Sequence, residues 1–201
     1  MKPNPLFARS LKLAIVPILA ALFSGCVTHI NTNVTDNPPP AAKFADYSHF
    51  ELDRVSLLAP YAGQEANEKA RNKIQENVTL KADPLLTKWE AAGANGGNGR
   101  TLVFTPTIKE IKFINATSRV WAGALAGSSA VLMEVRIFEK ESGRVIATPI
   151  FYSKAAAMGG AWTFGTTDNL MLARVAGRFT DYMAANYDAA VGGPTGAEVD
   201  D

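Results

Sequence analysis

Residues 131–152 decide the fold, and they read VLMEVRIFEKESGRVIATPIFY. Two runs rich in β-branched and aromatic residues, Val131–Phe138 and Val145–Tyr152, stand on either side of the polar segment Glu139–Gly143. Short β-rich runs separated by a few residues that include glycine are typical of a β-hairpin. The sequence therefore predicts two antiparallel strands here, and the neighbouring elements complete the sheet.

A third strand precedes the hairpin, within residues 100–115. Its apolar residues alternate and then shift phase by one position: Leu102, Phe104 and Ile108, followed by Ile111 and Phe113. One extra residue, a β-bulge, produces such a shift, and we place it between Pro106 and Glu110. Because proline donates no ladder hydrogen bond, Pro106 predicts either an edge strand or a gap in the ladder.

The segment upstream predicts one more strand and two helices. Phe50–Ala59 is apolar and β-rich, and Pro60 closes it. Gln64–Leu80 carries apolar residues four apart, which is typical of a helix with one buried stripe. Asp83-Pro84 has the form of an N-cap followed by proline at the first helical position, so a separate short helix is predicted from there through Trp89.

The segment downstream of the hairpin predicts a last helix. Thr167 or Asp168 is its N-cap. Its apolar residues recur at offsets of four, three and four, and they are Leu172, Ala176, Phe179 and Met183.

The order strand, helix, strand, hairpin, helix predicts an α+β fold. We expect a mainly antiparallel sheet of about four strands with two or three helices packed on one face. The chain has 201 residues, 47% of them hydrophobic, which suits one core. Residues 47–190 are predicted to form this domain, and residues 191–201 a disordered acidic tail.

The first 26 residues follow the pattern of a secretory leader. A cationic start is followed by an apolar run, Leu13–Phe23, which is shorter than the ~20 residues of a transmembrane helix. The exit Phe23-Ser24-Gly25-Cys26 resembles the bacterial lipobox. This resemblance implies that residues 1–25 are a signal peptide, that Phe23, Ser24 and Gly25 are read by the signal peptidase, and that Cys26 becomes the lipidated amino terminus.

The lipid on Cys26 implies a membrane address. Several acyl chains hold a protein stably on a bilayer, whereas a single chain does so only marginally. Val27 and Thr28 follow the cysteine, without the aspartate that often retains such proteins in the inner membrane. The resemblance thus implies anchoring on the periplasmic face of the outer membrane.

Residues 26–46 have the composition of a flexible tether. They are polar and include Pro38-Pro39-Pro40, a run that favours extended polyproline II at ~3.1 Å per residue. Such a tether would hold the domain a few tens of Å from the bilayer.

The stretch from Leu102 to Tyr187 carries two short glycine-based motifs, Ala122-Gly123-Ala124-Leu125-Ala126-Gly127 and Glu141-Ser142-Gly143-Arg144-Val145-Ile146. In these motifs the chain resembles uncharacterised bacterial lipoproteins that are classed by a domain of unknown function. The resemblance supplies no catalytic residues.

Charge and composition exclude several function classes. Three cations and no acid lie in the first 25 residues, so removing them lowers the formal net charge from +1 to −2. This balance gives no electrostatic basis for binding nucleic acid. One cysteine and two histidines exclude a disulfide framework and predict no metal site, and no cofactor is expected.

Two small-residue segments, 122–129 and 155–161, each have an adjacent tryptophan. If the hairpin brings its ends together, these segments are neighbours, and they form a candidate interaction surface for an envelope protein, a second copy or a bilayer. Its residues are Trp121, Gly123, Gly127, Gly159, Gly160 and Trp162. Burial of both tryptophans in the core is the alternative. The first segment lacks the Gly-Lys-Ser/Thr ending of a phosphate-binding loop.

No catalytic constellation is evident, so we expect no enzyme. Ser128 and Ser129 lie outside any Gly-x-Ser-x-Gly elbow, and both histidines are in or beside the tether. Four glutamates are candidates for a catalytic pair, but acids on strand faces and turns are usually solvated: Glu110, Glu134, Glu139 and Glu141. The predicted function is a non-catalytic interaction domain, and the alternative is a lipid-anchored enzyme acting on cell-wall material.

Overall fold

The computed structural model describes residue 30 and residues 32–93, 98–113, 128–155 and 166–197. Within these residues the fold is α+β, with two α-helices and a mixed main sheet of six strands. In chain order the elements are β1 (Asp36–Asn37), a 3₁₀ turn (Phe44–Asp46), β2 (His49–Leu52), β3 (Ser56–Leu57), α1 (Glu65–Gly93), β4 (Thr101–Lys112), β5 (Ala130–Glu139), β6 (Val145–Ala147), β7 (Ile150–Lys154), α2 (Thr166–Ala185) and β8 (Gly193–Pro194).

The main sheet is mixed and six-stranded, so the expected mainly antiparallel sheet of about four strands is wrong. β4 and β5 pair antiparallel at its centre. β2 and β3 both run parallel to β4 along its other edge, because α1 carries the chain back along the sheet before β4 begins. β6 and β7 lie end to end along the far edge of β5. The single strand predicted over Phe50–Ala59 is divided into two short strands, β2 and β3.

Pro106 lies in the central strand β4, opposite Val135. The Val135 N–H donates away from β4, to the Pro149 carbonyl at 2.9 Å, so the pair Pro106–Val135 is not hydrogen-bonded. The Pro106 nitrogen consequently faces the break between β2 and β3, where no partner strand needs a donor. The ladder gap predicted from the proline is confirmed, the edge strand is wrong, and the bulge is confirmed between Ile108 and Glu110.

Helix α1 is one helix of 29 residues that contains Pro84, so the predicted division into two helices is wrong. Its buried stripe continues past the proline, through Ala82 to Trp89, and both are nearly inaccessible. Pro84 itself lies on the exposed side, where water can satisfy the carbonyl that loses its helical partner. Burial of the stripe on the sheet thus outweighs the local cost of proline.

Both helices pack on the same face of the sheet, around an aromatic centre. All four residues of the stripe predicted for α2 are buried. Phe44 meets Phe104 edge to face at 5.5 Å, and Trp89 stacks on Tyr187 at 4.6 Å. Phe44 comes from the segment predicted to be a tether, yet it is fully buried.

Ile30 and residues 32–46 form a segment, here called the N-terminal strap, that packs along the β7 and β6 edge of the sheet. Asn37 donates to the Ile150 carbonyl and accepts from the Ile150 N–H, at 2.9 and 2.8 Å. Further along, the Ala41 N–H donates to the Ile146 carbonyl. The expectation of a flexible tether therefore does not hold for this part of the chain.

The C-terminal segment is also ordered by pairing. β8 forms a two-stranded antiparallel ladder with β1 of the strap, and Thr195 is fully buried. The Thr195 N–H donates to the Thr35 carbonyl at 2.8 Å. The expectation of a disordered tail therefore does not hold for residues 191–197. Residues 198–201 lie outside the described part of the chain.

Side chains cap both outer edges of the main sheet. Along β2 and β3, α1 supplies the acceptors: Glu90 accepts from the Phe50 N–H and Gln75 from the Val55 N–H. Along β7, the outward backbone groups are bound by Asn37, the Thr195 carbonyl, Arg178 and Arg174. Edges covered in this way offer few free groups to another strand.

Candidate functional site

Three strands lie side by side at one end of the sheet, where β4 and β7 end and β5 begins. Ala130, the first residue of β5, pairs with Lys112 at the end of β4 and with Lys154 at the end of β7. We call this the Lys112 end of the molecule. The Ala155 N–H donates to the Ser129 carbonyl at 2.8 Å and ties the two outgoing chain segments together.

Both tryptophan-bearing segments leave the sheet at the Lys112 end. Residues 114–127 connect β4 to β5, and residues 156–165 connect β7 to α2. The residues to which the two segments attach are therefore neighbours, and the predicted proximity of the segments themselves stays a prediction. Trp121, Gly123, Gly127, Gly159, Gly160 and Trp162 lie outside the described residues, as do Phe23, Ser24, Gly25 and Cys26.

A shallow groove of about 300 Å³ opens at this same end, between the first turns of α1 and α2. Phe113, which directly follows β4, forms part of its floor with Ala70 and Leu172. The rim is polar: Lys69, Lys73, Asp168 and Asn169. Both lysines are engaged by acids of α1, since Lys69 pairs with Glu65 and Lys73 with Glu76.

The N-terminal strap begins at the Lys112 end. Ile30 is buried against Ala130 and Tyr152, on the face of the sheet away from the helices. The Tyr152 hydroxyl donates to the Ile30 carbonyl at 3.2 Å. The chain therefore reaches the folded domain at the end from which the tryptophan segments leave.

The opposite end of the sheet carries a charged cluster centred on Glu139, and we call it the Glu139 end. The Glu139 side chain is only 6% exposed, and its carboxylate contacts Arg100 and Arg144. The Ser142 hydroxyl donates to it at 2.6 Å. The Ser142 hydrogen bond, supported by the two arginines, lowers the pKa of Glu139 although burial acts to raise it.

Two more groups belong to the Glu139 end. The Glu141 carboxylate accepts from the Thr101 N–H at 3.1 Å, and this backbone hydrogen bond lowers its pKa. The Tyr47 ring lies under Arg100, and burial raises the pKa of its hydroxyl. Both carboxylates stay ionised and bound to internal donors, whereas a general acid needs a pKa near the working pH.

Sequence reasoning missed the burial of Glu139, which we expected to be solvated. The signal was present in the hairpin turn, where Ser142 stands three residues after the glutamate and Arg144 follows. Arg100 is remote in sequence, and only the pairing of β4 with β5 brings it close. A partner of this kind cannot be identified from a local pattern.

The described residues include no group of three or more histidine, cysteine, aspartate or glutamate side chains that could hold a metal ion. Neither helix of the described ranges is apolar enough over sufficient length to cross a membrane.

The architecture defines the class of this protein as a two-helix α+β domain on one mixed sheet. No known family model and no curated protein matches the chain. Several solved structures are similar in part, and three of them are named here. They are the PelC dodecamer of Paraburkholderia phytofirmans (12% identity, 70% of this chain and 91% of that one, TM-score 0.37), a hypothetical protein of Chlamydia trachomatis (14%, 70% and 99%, 0.38) and a DUF330 protein of Xanthomonas campestris (12%, 80% and 97%, 0.40).

Two of these three proteins are themselves described only as hypothetical or by a family of unknown function. At these identities and TM-scores the likeness concerns part of the architecture.

Proposed function

We propose that this chain is a lipid-anchored protein of the bacterial envelope with a non-catalytic binding domain. In this proposal the leader is removed before Cys26, lipid on that cysteine holds the protein at the periplasmic face of the outer membrane, and the segments around Trp121 and Trp162 bind an envelope protein or a second copy. The leader and the lipobox-like exit support the anchor.

The attachment of both tryptophan segments at one end of the sheet carries the binding part of the proposal. Ser129 and Ala155 lie just outside the two segments, and their backbones are joined by a hydrogen bond of 2.8 Å. Aromatic side chains gathered on one surface are the residues that most often dominate binding energy. Two such segments at one end of the domain favour a single shared interface.

Crosslinking in intact cells, followed by capture of the protein, tests this interface. Replacing Trp121 and Trp162 together by alanine is expected to abolish the crosslinked species. Leu80→Ala is the matched control, because Leu80 is an apolar residue 75% exposed on α1 and remote from the Lys112 end. Crosslinked partners that survive the double substitution unchanged would remove the tryptophan segments from the interface.

The anchor is tested separately by the intact mass of the protein extracted from membranes. Cleavage before Cys26 together with acyl chains on that residue gives one defined mass. A polypeptide that retains Met1, or that begins at Cys26 with an unmodified thiol, contradicts the anchor.

The alternative function is a lipid-anchored enzyme acting on cell-wall material, and glycosidase chemistry of that kind requires two carboxyl groups presented to a substrate. Three of the four candidate glutamates instead contact the protein's own donors: Glu134 with Lys109, Glu139 with Arg100 and Glu141 with Thr101. These contacts favour a binding domain. Release of soluble fragments from purified peptidoglycan, lost on Glu134→Gln, would favour the enzyme.

A further inference from the structure

The length of chain between Cys26 and the first described residue is short. Ile30 is four residues after Cys26, and a fully extended chain spans at most ~3.3–3.6 Å per residue, so the leash measures no more than about 14 Å. Ile30 itself is fixed, since it is buried against Ala130 and Tyr152 and its carbonyl accepts from the Tyr152 hydroxyl. The leash from Cys26 therefore ends at the Lys112 end of the domain.

The domain is longer than this leash. β4 has twelve residues between Thr101 and Lys112, and at ~3.3 Å per residue its two ends are about 36 Å apart. A lipid on Cys26 places that residue at the bilayer surface. A leash of about 14 Å keeps Ile30, and with it the Lys112 end, close to that surface. The Glu139 end cannot be turned toward the bilayer without pulling Ile30 out of its site.

We propose that the Lys112 end of the domain faces the lipid bilayer and that the Glu139 end points away from it. This inference rests on the proposed lipid anchor and replaces the long tether expected from the sequence with a short leash. The occupant of this surface is the phospholipid bilayer that holds the anchor, so a protein partner of the tryptophan segments would bind beside the domain at the bilayer surface and not in place of the bilayer. The side chains of Lys154 and Arg174 are exposed at this end, where cations suit anionic headgroups.

A fluorescence quenching experiment on the lipidated full-length protein tests the orientation. The chain has a single cysteine, and lipid caps its sulfur, so an introduced cysteine is the one free thiol available for a label. Lys154→Cys places the label at the Lys112 end. Lys88→Cys is the matched control, because it is an exposed lysine near the C-terminal end of α1, beside the Glu139 end.

Each labelled protein is placed in phospholipid vesicles that carry a spin label at the headgroup. We expect loss of fluorescence at position 154 and none at position 88. Equal loss at both positions, or no loss at either, would overturn the proposed orientation. The intact mass of each sample separates the two proposals, since an unmodified Cys26 refutes the anchor and a lipidated protein without selective quenching refutes the orientation alone.

Lengthening the leash tests its role as the cause. An insertion of about twenty Gly and Ser residues after Val27 adds roughly 25 Å of root-mean-square reach, comparable to the length of the domain. We expect the difference in quenching between positions 154 and 88 to be lost in this variant. A difference that persists would contradict orientation by the leash.

Discussion

Gly93 occupies a position where a side chain has no room. It ends α1, and a β-carbon built on it would lie 2.5 Å from the Ser48 carbonyl oxygen and 2.8 Å from the Ser48 Cα. Both are backbone atoms, which cannot rotate away. The absence of a side chain thus lets the end of the helix approach the entry to β2, and the close contact positions Trp89 and Glu90 against that strand.

Gly93→Ala is expected to destabilise the protein by about 1–3 kcal/mol, the usual cost of forcing atoms into a packed site. Gly177→Ala is the matched control, because its β-carbon would meet only the Lys81 ammonium at 3.8 Å. Alanine in that helix interior is expected to stabilise by about 0.5–1 kcal/mol. Urea denaturation midpoints measure both, and equal effects of the two substitutions would contradict the contact with Ser48.

Glu139 makes the stability of the fold sensitive to acid. Its pKa in the folded protein is held below the ordinary value of 4.5, so its contribution is present above that value and is lost as the pH falls through the folded pKa. Glu139→Gln is therefore expected to lower the melting temperature at pH 7, with the gap to the native protein narrowing below pH 4.5. Glu76→Gln, an exposed acid on α1, is the control.

Thermal melts between pH 7 and pH 3 test this expectation. A gap between Glu139→Gln and the native protein that stays constant over this range would mean that the ionised carboxylate is not what stabilises the Glu139 end.

At the scale of elements, α1 shows how burial overrides a local stop signal. The dipeptide Asp83-Pro84 is a sound N-cap pattern and favours a helix boundary, yet the chain prefers one continuous helix. The preference comes from the spacing of Ala82 and Trp89, which keeps both on the face that packs on the sheet.

Pro84→Ala tests the continuity of α1. In a continuous helix, alanine restores one backbone hydrogen bond and removes a steric conflict, so we expect a gain of up to about 3 kcal/mol in the free energy of unfolding. Chemical denaturation measures the change. If a new helix begins at Pro84 instead, alanine loses a favourable first-turn residue, and the protein is destabilised.

The strands show which features of a sequence are local. The hairpin and the bulge in β4 follow from residues that are adjacent in the chain, and the sequence predicts both. The second strand of the hairpin, predicted as the single run Val145–Tyr152, is divided into β6 and β7. The parallel placement of β2 and β3 depends on where α1 packs, and no short pattern encodes it. The break between β2 and β3, at Asp53–Val55, is explained by Pro106, and the sequence does not show that Pro106 lies opposite it.

At the scale of the whole molecule, the strap pairs the beginning of the described domain with its last strand, β8. Residues 32–46 show no apolar period and therefore resemble a tether in sequence. Single side chains and backbone groups attach them to the domain, and such contacts leave no periodic pattern. Asn37, Thr195 and the fully buried Phe44 all take part in this attachment, and none of them belongs to a periodic pattern. The Trp121 and Trp162 segments were predictable as candidates from composition, and their common attachment from the hairpin.

Asn37→Ala tests the strap. Both backbone groups of Ile150 lose a partner, and we expect a loss of about 1–3 kcal/mol in stability together with faster proteolysis within residues 32–46. Asn33→Ala, in the same segment and exposed, is expected to change stability by less than about 0.5 kcal/mol. Equal proteolysis of the two variants would show that Asn37 does not hold the strap.

The capped edges of the sheet have a consequence for the lipid-anchored state proposed above. Confinement to two dimensions brings neighbouring copies together far more often than in solution, and bare edge strands would then invite fibril-like growth from one copy to the next. Here α1 occupies one border through Glu90 and Gln75, and the strap with two arginines occupies the other. If the proposed anchor holds the protein on a bilayer, dense crowding there is thus compatible with copies that keep their sheets separate.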